Sequence, residues 1–142
     1  MTTKTEIQRT SEADHQKVVI EWARLHEKKY PCLKFLYACP NEGKHKVQYR
    51  VHQKAMGVKS GVPDLFLPYP VLHGVVVNGP HPRWCMRKIF NYCGLYIEMK
   101  TIGGKISDNQ KEFIDYLKEQ GYKVEVCWNA DTAIEVIEDY LR

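Results

Sequence analysis

A chain of 142 residues holds one domain around one core and is too short for two ordinary ones. Hydrophobic residues at 44% and charged residues at 27% mark a soluble globular sequence and exclude a disordered one. The net charge of +4 permits a polyanionic partner without demanding one, and no apolar run is long enough to span a bilayer.

Met1 to Arg9 is polar, so the first ten residues read as a flexible start without a signal peptide. Ser11 then reads as an N-cap. Val18, Val19, Trp22, Ala23 and Leu25 recur at the spacing of one helix face, predicting a helix to about Lys29 that Tyr30-Pro31 ends. Leu33 to Ala38 is apolar and aromatic enough for a strand, and residues 40–46 are turn chemistry mixed with charge. A short helix is expected over Gln48 to Met56, stopped by Gly57. Asp64 to Leu67 reads as a short strand entered through Gly61-Val62-Pro63 and closed by Pro68.

A long connection follows, about 68–93, where a minimal hairpin needs only a few residues. Within it Val71 to Val77 suggests an added strand, and His81 to Lys88 a DNA-facing flap or a dimer contact. Gly94 to Met99 is a central strand. Ser107 caps a helix from Asp108 to Gln120 that Gly121 terminates. Tyr122 to Trp128 alternates like a strand, and Asn129 or Asp131 caps a last helix with Ala133, Ile134, Ile137 and Leu141 on its apolar face. The strand-helix-strand order near the end needs a crossover and predicts a parallel pair, while the earlier strands suit a meander. The class is α/β, a mixed central sheet with flanking helices.

Five cysteines, an odd number without a CxxC pair, read as reduced thiols in a cytoplasmic protein. Cys85 and Cys93 could hold zinc with His73 or His81, but the spacing matches no strong zinc pattern.

The chemistry gathers on two predicted strands. Glu98 and Lys100 are two apart and project from one face, and Asp64 can meet Glu98 if the strands pair in register. Two carboxylates so close repel unless a cation lies between them, and oxygen ligands suit Mg²⁺ or Mn²⁺. Lys100 can then orient or activate a water and offset charge in the transition state. An isolated Glu-x-Lys would more often be a surface acid and a snorkelling lysine.

The neighbouring segments change that weighting. Gly57-Val58-Lys59-Ser60-Gly61-Val62-Pro63-Asp64-Leu65, then Tyr96-Ile97-Glu98-Met99-Lys100-Thr101, then Ser107-Asp108-Asn109-Gln110 together closely resemble the VRR-NUC family of the PD-(D/E)xK nuclease superfamily. Ser11-Glu12 and Pro40-Asn41-Glu42-Gly43 fit the same pattern, and the resemblance runs from about residue 11 to about residue 140. It implies an αβββαβ core, a divalent metal and phosphodiester hydrolysis, in one nuclease domain over 11–142. By this resemblance Asp64 and Glu98 are metal carboxylates, the Met99 carbonyl a further ligand, and Lys100 the catalytic lysine. Gln110 faces the active site, where its amide can hold a water or a phosphate oxygen. Glu12 is the first-helix acid aimed at the metal, often through water. Asn41 and Glu42 suit a loop that contacts DNA or orients a neighbour, and Lys44, His45, Lys46 and Arg50 with Tyr49 form a basic stretch for phosphate contact or a solvated polar loop.

The expected function is a divalent-metal-dependent DNA endonuclease, selective for branched, flap or junction DNA. A chain this small resembles the stand-alone phage or resolvase-like members of the family. That implies a homodimer in a bacterial or phage-infected cell. The insertion and the first helix are candidate contacts through an exposed Trp22 or Trp84, and buried tryptophans are an equal alternative. The rival expectation is a non-catalytic DNA-binding module on a nuclease fold, against which Asp64, Glu98 and Lys100 speak.

Overall fold

The computed structural model describes residues 10–41, 46–78 and 85–142, with the side chains of 74–78 and 85–89 outside that description. Glu42, Lys44, His45 and the flap residues His81 to Trp84 therefore lie outside the described residues, as do the side chain of Cys85 and the first nine residues.

Helix α1 (Glu12–Leu25) starts at Ser11, whose hydroxyl accepts from the Asp14 amide while Asp14 accepts from the Ser11 amide, a reciprocal cap. Val19 and Ala23 on its inner face are buried. Trp22 is partly buried: it packs against the core and stacks on His26 with ring centroids 4.6 Å apart.

The strand expected over Leu33–Ala38 is corrected. Pro31–Phe35 is a 3₁₀ helix, and only Tyr37–Ala38 forms a strand, β1. Pro31 presets a helical φ at the first position, and the residues that reach the core, Leu33 and Leu36, are three apart, the 3₁₀ period rather than the strand period.

Helix α2 (Val47–Ala55) buries only Gln53 and lies on the surface. Strand β2 (Leu65–Leu67) follows, then β3 (Val71–Asn78) and β4 (Cys85–Tyr92), which pair antiparallel as a separate two-stranded sheet. The expected added strand is therefore one half of a hairpin whose partner strand takes over the end of the expected flap. Strand β5 (Leu95–Met99), helix α3 (Asp108–Glu119), strand β6 (Lys123–Cys127) and helix α4 (Ala130–Tyr140) complete the order.

The main sheet runs β1-β2-β5-β6, with β1–β2 and β2–β5 antiparallel and β5–β6 parallel, so both the meander and the parallel pair are present. One face presents Leu65, Leu67, Leu95, Ile97 and Met99 to α1, the 3₁₀ helix and α4, all essentially inaccessible to solvent. Each such side chain contributes about 1.5–3 kcal/mol relative to exposure. On the other face Ile114 and Leu117 of α3 close over Val124.

Helix α4 is capped by Asn129, whose side chain accepts from the Thr132 amide. Its Ala130 amide also donates to His15 Nδ1 of α1, at 3.3 Å. The Tyr140 hydroxyl donates to the Tyr69 carbonyl at 2.6 Å and ties α4 to the root of the hairpin. Among the described residues no helix is long and apolar enough to cross a membrane.

Candidate active site

The register Leu65↔Ile97, carried one residue further, sets Asp64 opposite Glu98. Asp64 stands just ahead of β2 and is fixed at both oxygens: Oδ2 accepts from the Met99 amide at 2.7 Å and Oδ1 from Asn41 Nδ2 at 3.1 Å. A carboxylate has about four acceptor sites, so half of its capacity stays available.

Glu98 is almost fully buried, at 1% exposure. Its Oε1 accepts from Gln110 Nε2 at 2.5 Å and meets Lys100 Nζ at 3.0 Å. Its Oε2 is buried with no hydrogen-bond partner. Lys100, also buried, reaches Glu12 Oε1 of α1 at 3.8 Å. Alternation on β5 sends Leu95, Ile97 and Met99 to the core and Glu98 to the opposite face, and that alone brings the acid to Asp64 and α3.

Gln110 works at both ends of its amide. Oε1 accepts from the Ser107 amide at 2.9 Å, closing the cap of α3, while Nε2 holds Glu98. A glutamate could close the same cap but would set a further acid against Glu98. The loop before β2 holds this turn in place. Gly61 has φ +90° and lies so close that a Cβ there would run into the Asn109 carbonyl, and Ser60 Oγ accepts from Asn109 Nδ2 at 3.1 Å.

The charges shape one another. Burial pushes Asp64 above the usual carboxylate range, against the Met99 amide and Lys100, which favour its ionised form. Glu98 is pushed up to about 7, first by burial and then by the Asp64 charge, with Lys100 opposing. Burial pulls Lys100 down, but Glu98, Glu12 and Asp64 together outweigh it and hold its pKa above the ordinary lysine value. Cys39 lies beside Asp64; burial and that charge push its thiol up to about 11, so it stays protonated. These groups open into a cleft of about 580 Å³, walled on its outer side by Arg50 of α2 and by Lys105 and Ser107 ahead of α3.

A family model described as the VRR-NUC domain matches residues 3–131. The chain belongs to the VRR-NUC family. A solved structure titled "VRR_NUC domain protein" is similar to it at 27% identity and a TM-score of 0.65, covering 93% of this chain and 88% of that one. A comparison with curated proteins finds no match. Membership gives the chain a nuclease-type, DNA-processing domain. The family's αβββαβ order is present as α1, β1, β2, β5, α3 and β6, with α2 and the hairpin added between them.

In this VRR-NUC domain, Asp64, Glu98, Lys100, Gln110, Glu12 and Asn41 come together around one cleft, and Arg50 joins them. Gln110 donates one Nε2 hydrogen to Glu98 and lines the cleft, and its amide nitrogen carries a second donor. Lys46 is exposed ahead of α2 and does not line the cleft; Lys44 lies outside the described residues. Among the described residues no three His, Cys, Asp or Glu side chains are grouped as metal ligands. Ser60, Lys105 and Ser107 also line the cleft; the sequence marked Ser107 only as a helix cap and gave none of the three a site role. Ser60 stands inside the Gly57–Leu65 segment, and its place is legible only once Gly61 is seen to dock on α3.

Proposed function

We propose that this VRR-NUC domain, residues 11–142 with the hairpin as an insertion, is a DNA endonuclease that uses Mg²⁺ or Mn²⁺. The observation that carries the reading is the buried Glu98 Oε2, which has no donor, beside a second carboxylate pushed up by burial. An unsatisfied buried acceptor costs about 1–3 kcal/mol, and a divalent cation between Asp64 and Glu98 would satisfy it and offset their repulsion. The all-oxygen donor set fits a hard cation. Asp64 and Glu98 would hold it, with the Met99 carbonyl as a backbone donor and Glu12 acting through water. A bound cation supplies Lewis-acid polarisation of the phosphodiester.

The chain's own residues do the rest. Asn41 and the Met99 amide aim Asp64, and Gln110 aims Glu98. Lys100, kept protonated by three acids, presents a fixed ammonium to charge that develops on the phosphate. Arg50, Lys46, Lys44 and Asn41 take the flanking phosphates.

The reading extends to branched, flap or junction DNA and to a homodimer. The hairpin supports the dimer: it stands outside the main sheet with Leu72, Phe90 and Tyr92 exposed at its base, and an isolated two-stranded ribbon is marginal in water. A supercoiled-plasmid assay tests the chemistry. Nicking should need Mn²⁺ or Mg²⁺ and stop with EDTA, and binding without nicking would instead mark a non-catalytic DNA module. Light scattering, and cleavage of a four-way junction against a linear duplex of equal length, test the extension; a monomer mass or equal cleavage removes it.

A further inference from the structure

On the sheet face that carries Asp64 and Glu98, a row of aromatic rings crosses the strands one step away. Phe66 follows Asp64 by two residues and Tyr96 precedes Glu98 by two, so rings and carboxylates share the face. The step between the rows is about 6.6 Å. Tyr37 is opposite Phe66 in the β1–β2 register, and Tyr122 stands just before β6. The rings meet in sequence: Tyr37 edge-on to Phe66 at 5.8 Å, Phe66 stacked on Tyr96 at 4.2 Å, and Tyr96 edge-on to Tyr122 at 5.3 Å. Gly94 makes room for the row, since a Cβ there would stand 2.7 Å from the Phe66 ring.

The two ends of this row differ. Near β6, Tyr96 and Tyr122 pack against Ile114 and Leu117 of α3 and serve as core. Toward β1 the cover ends: Phe66 is partly buried and Tyr37 is 50% exposed. That open end adjoins the candidate site directly, because the Cys39 amide, two residues after Tyr37, donates to the Asp64 carbonyl at 2.8 Å.

Ring surface at this place selects its occupant. A base within a duplex has both faces stacked and offers a protein only its groove edges, whereas an unpaired base offers a π-face. Stacking on aromatic side chains takes any base, while cations track the backbone; here Arg50 and Lys105 line the adjoining cleft. We propose that the Tyr37–Phe66 end of the row stacks an unpaired base of the strand whose phosphate lies at Asp64 and Glu98. The substrate class is then DNA with a single-stranded or unpaired segment at the cut. The inference rests on the nuclease reading for the position of the phosphate.

The test uses the full chain in Ca²⁺, which fills oxygen sites loosely, titrated with a single-stranded oligonucleotide carrying 2-aminopurine and with a blunt duplex. Wild-type protein should quench the 2-aminopurine. Tyr37→Ala should relieve the quenching and lower the ratio of single-strand to duplex affinity about tenfold, and Tyr37→Phe should keep that ratio within about twofold. Absent quenching, an unchanged ratio in Tyr37→Ala, or an equal loss toward both DNAs overturns the proposal. So does a Tyr37→Ala variant that loses a dimer mass in light scattering with its ratio intact, which would assign the face to a second copy of the chain. Plasmid nicking with Mn²⁺ is read separately. Selective stacking without nicking keeps this proposal and removes the nuclease reading, whereas nicking with an unchanged ratio does the reverse.

Discussion

The wall of the cleft built from β5 and α3 is buried and engaged, while the wall that carries Arg50 of α2 and Lys105 is exposed and open. On the inner wall Glu98 and Lys100 are 1% and 6% exposed, each meets a named partner, and the Glu98 Oε2 alone has none. On the outer wall Arg50 and Lys105 are exposed and form no ion pair among the described residues. Low dielectric strengthens every interaction on the inner wall, and water weakens those on the outer one. Chemistry that needs fixed charge therefore belongs to the first, and a grip that must tolerate different sequences to the second.

If that division holds, the largest effects come from the inner wall. Asp64→Ala and Glu98→Ala should each abolish nicking and leave a cooperative thermal transition, because each removes a cation donor from the edge of the core rather than from its centre. Glu98→Gln should fail too, since a neutral amide is a poor Mg²⁺ donor. Near wild-type nicking by either alanine variant would place the site elsewhere.

Lys100→Ala should come next, slowing cleavage by about 10²-fold with far less loss of DNA affinity, as expected of a charge that acts on the transition state. Rate and binding constants measured on one oligonucleotide decide it. Parallel losses would move Lys100 from the inner wall to the outer one in function.

If a divalent cation binds the inner wall as proposed, protons compete with it, which gives a pH dependence of known sign. Glu98 sits at about 7 and must ionise to hold a divalent cation, so Mn²⁺ affinity should rise with pH through 7 and level off above 8. Between pH 6 and pH 8 the gain is about tenfold for one proton displaced. Calorimetric titration of wild-type protein with Mn²⁺ measures it, and a flat profile would show Glu98 already ionised. The fold raises the pKa of this acid and so favours its neutral form. The matching stability of the metal-free protein is full below the ordinary glutamate value and is lost as pH rises through 7.

The inner wall was also the more legible in sequence. Glu98 sits on β5, with Lys100 just after it and Asp64 just ahead of β2, so strand alternation fixes their face, and Ser107 with Gln110 is a capping pattern that also fixes the helix start. Local rules placed them before any contact was known. Leu33 to Ala38 was misread because apolar residues alone do not distinguish a period of three from a period of two. The β4 strand was missed because Met86 to Phe90 mixes an Arg-Lys pair into an apolar run without alternation. The docking of Gly61 on Asn109 and the aromatic row from Tyr37 to Tyr122 were invisible for another reason: both join segments more than 25 residues apart, which no window along the chain can see.

The outer wall yields the smallest effect and the most discriminating one. Arg50 lines the cleft from α2, a helix whose only buried side chain is Gln53, so replacing it disturbs little packing. An exposed cation near one phosphate is worth about 0.2–1 kcal/mol, so Arg50→Ala should weaken DNA binding only about 1.4- to fivefold. The salt dependence is the sharper readout. Losing one phosphate contact should lower the slope of log affinity against log salt by about 0.7 on single-stranded DNA and about 0.9 on duplex. The cleavage rate at saturating DNA should stay within about twofold of wild type, because Arg50 touches none of the inner-wall groups. An unchanged slope would take Arg50 off the DNA path. A large fall in the saturated rate would show instead that α2 helps to hold the carboxylates, and the two walls would no longer be separable.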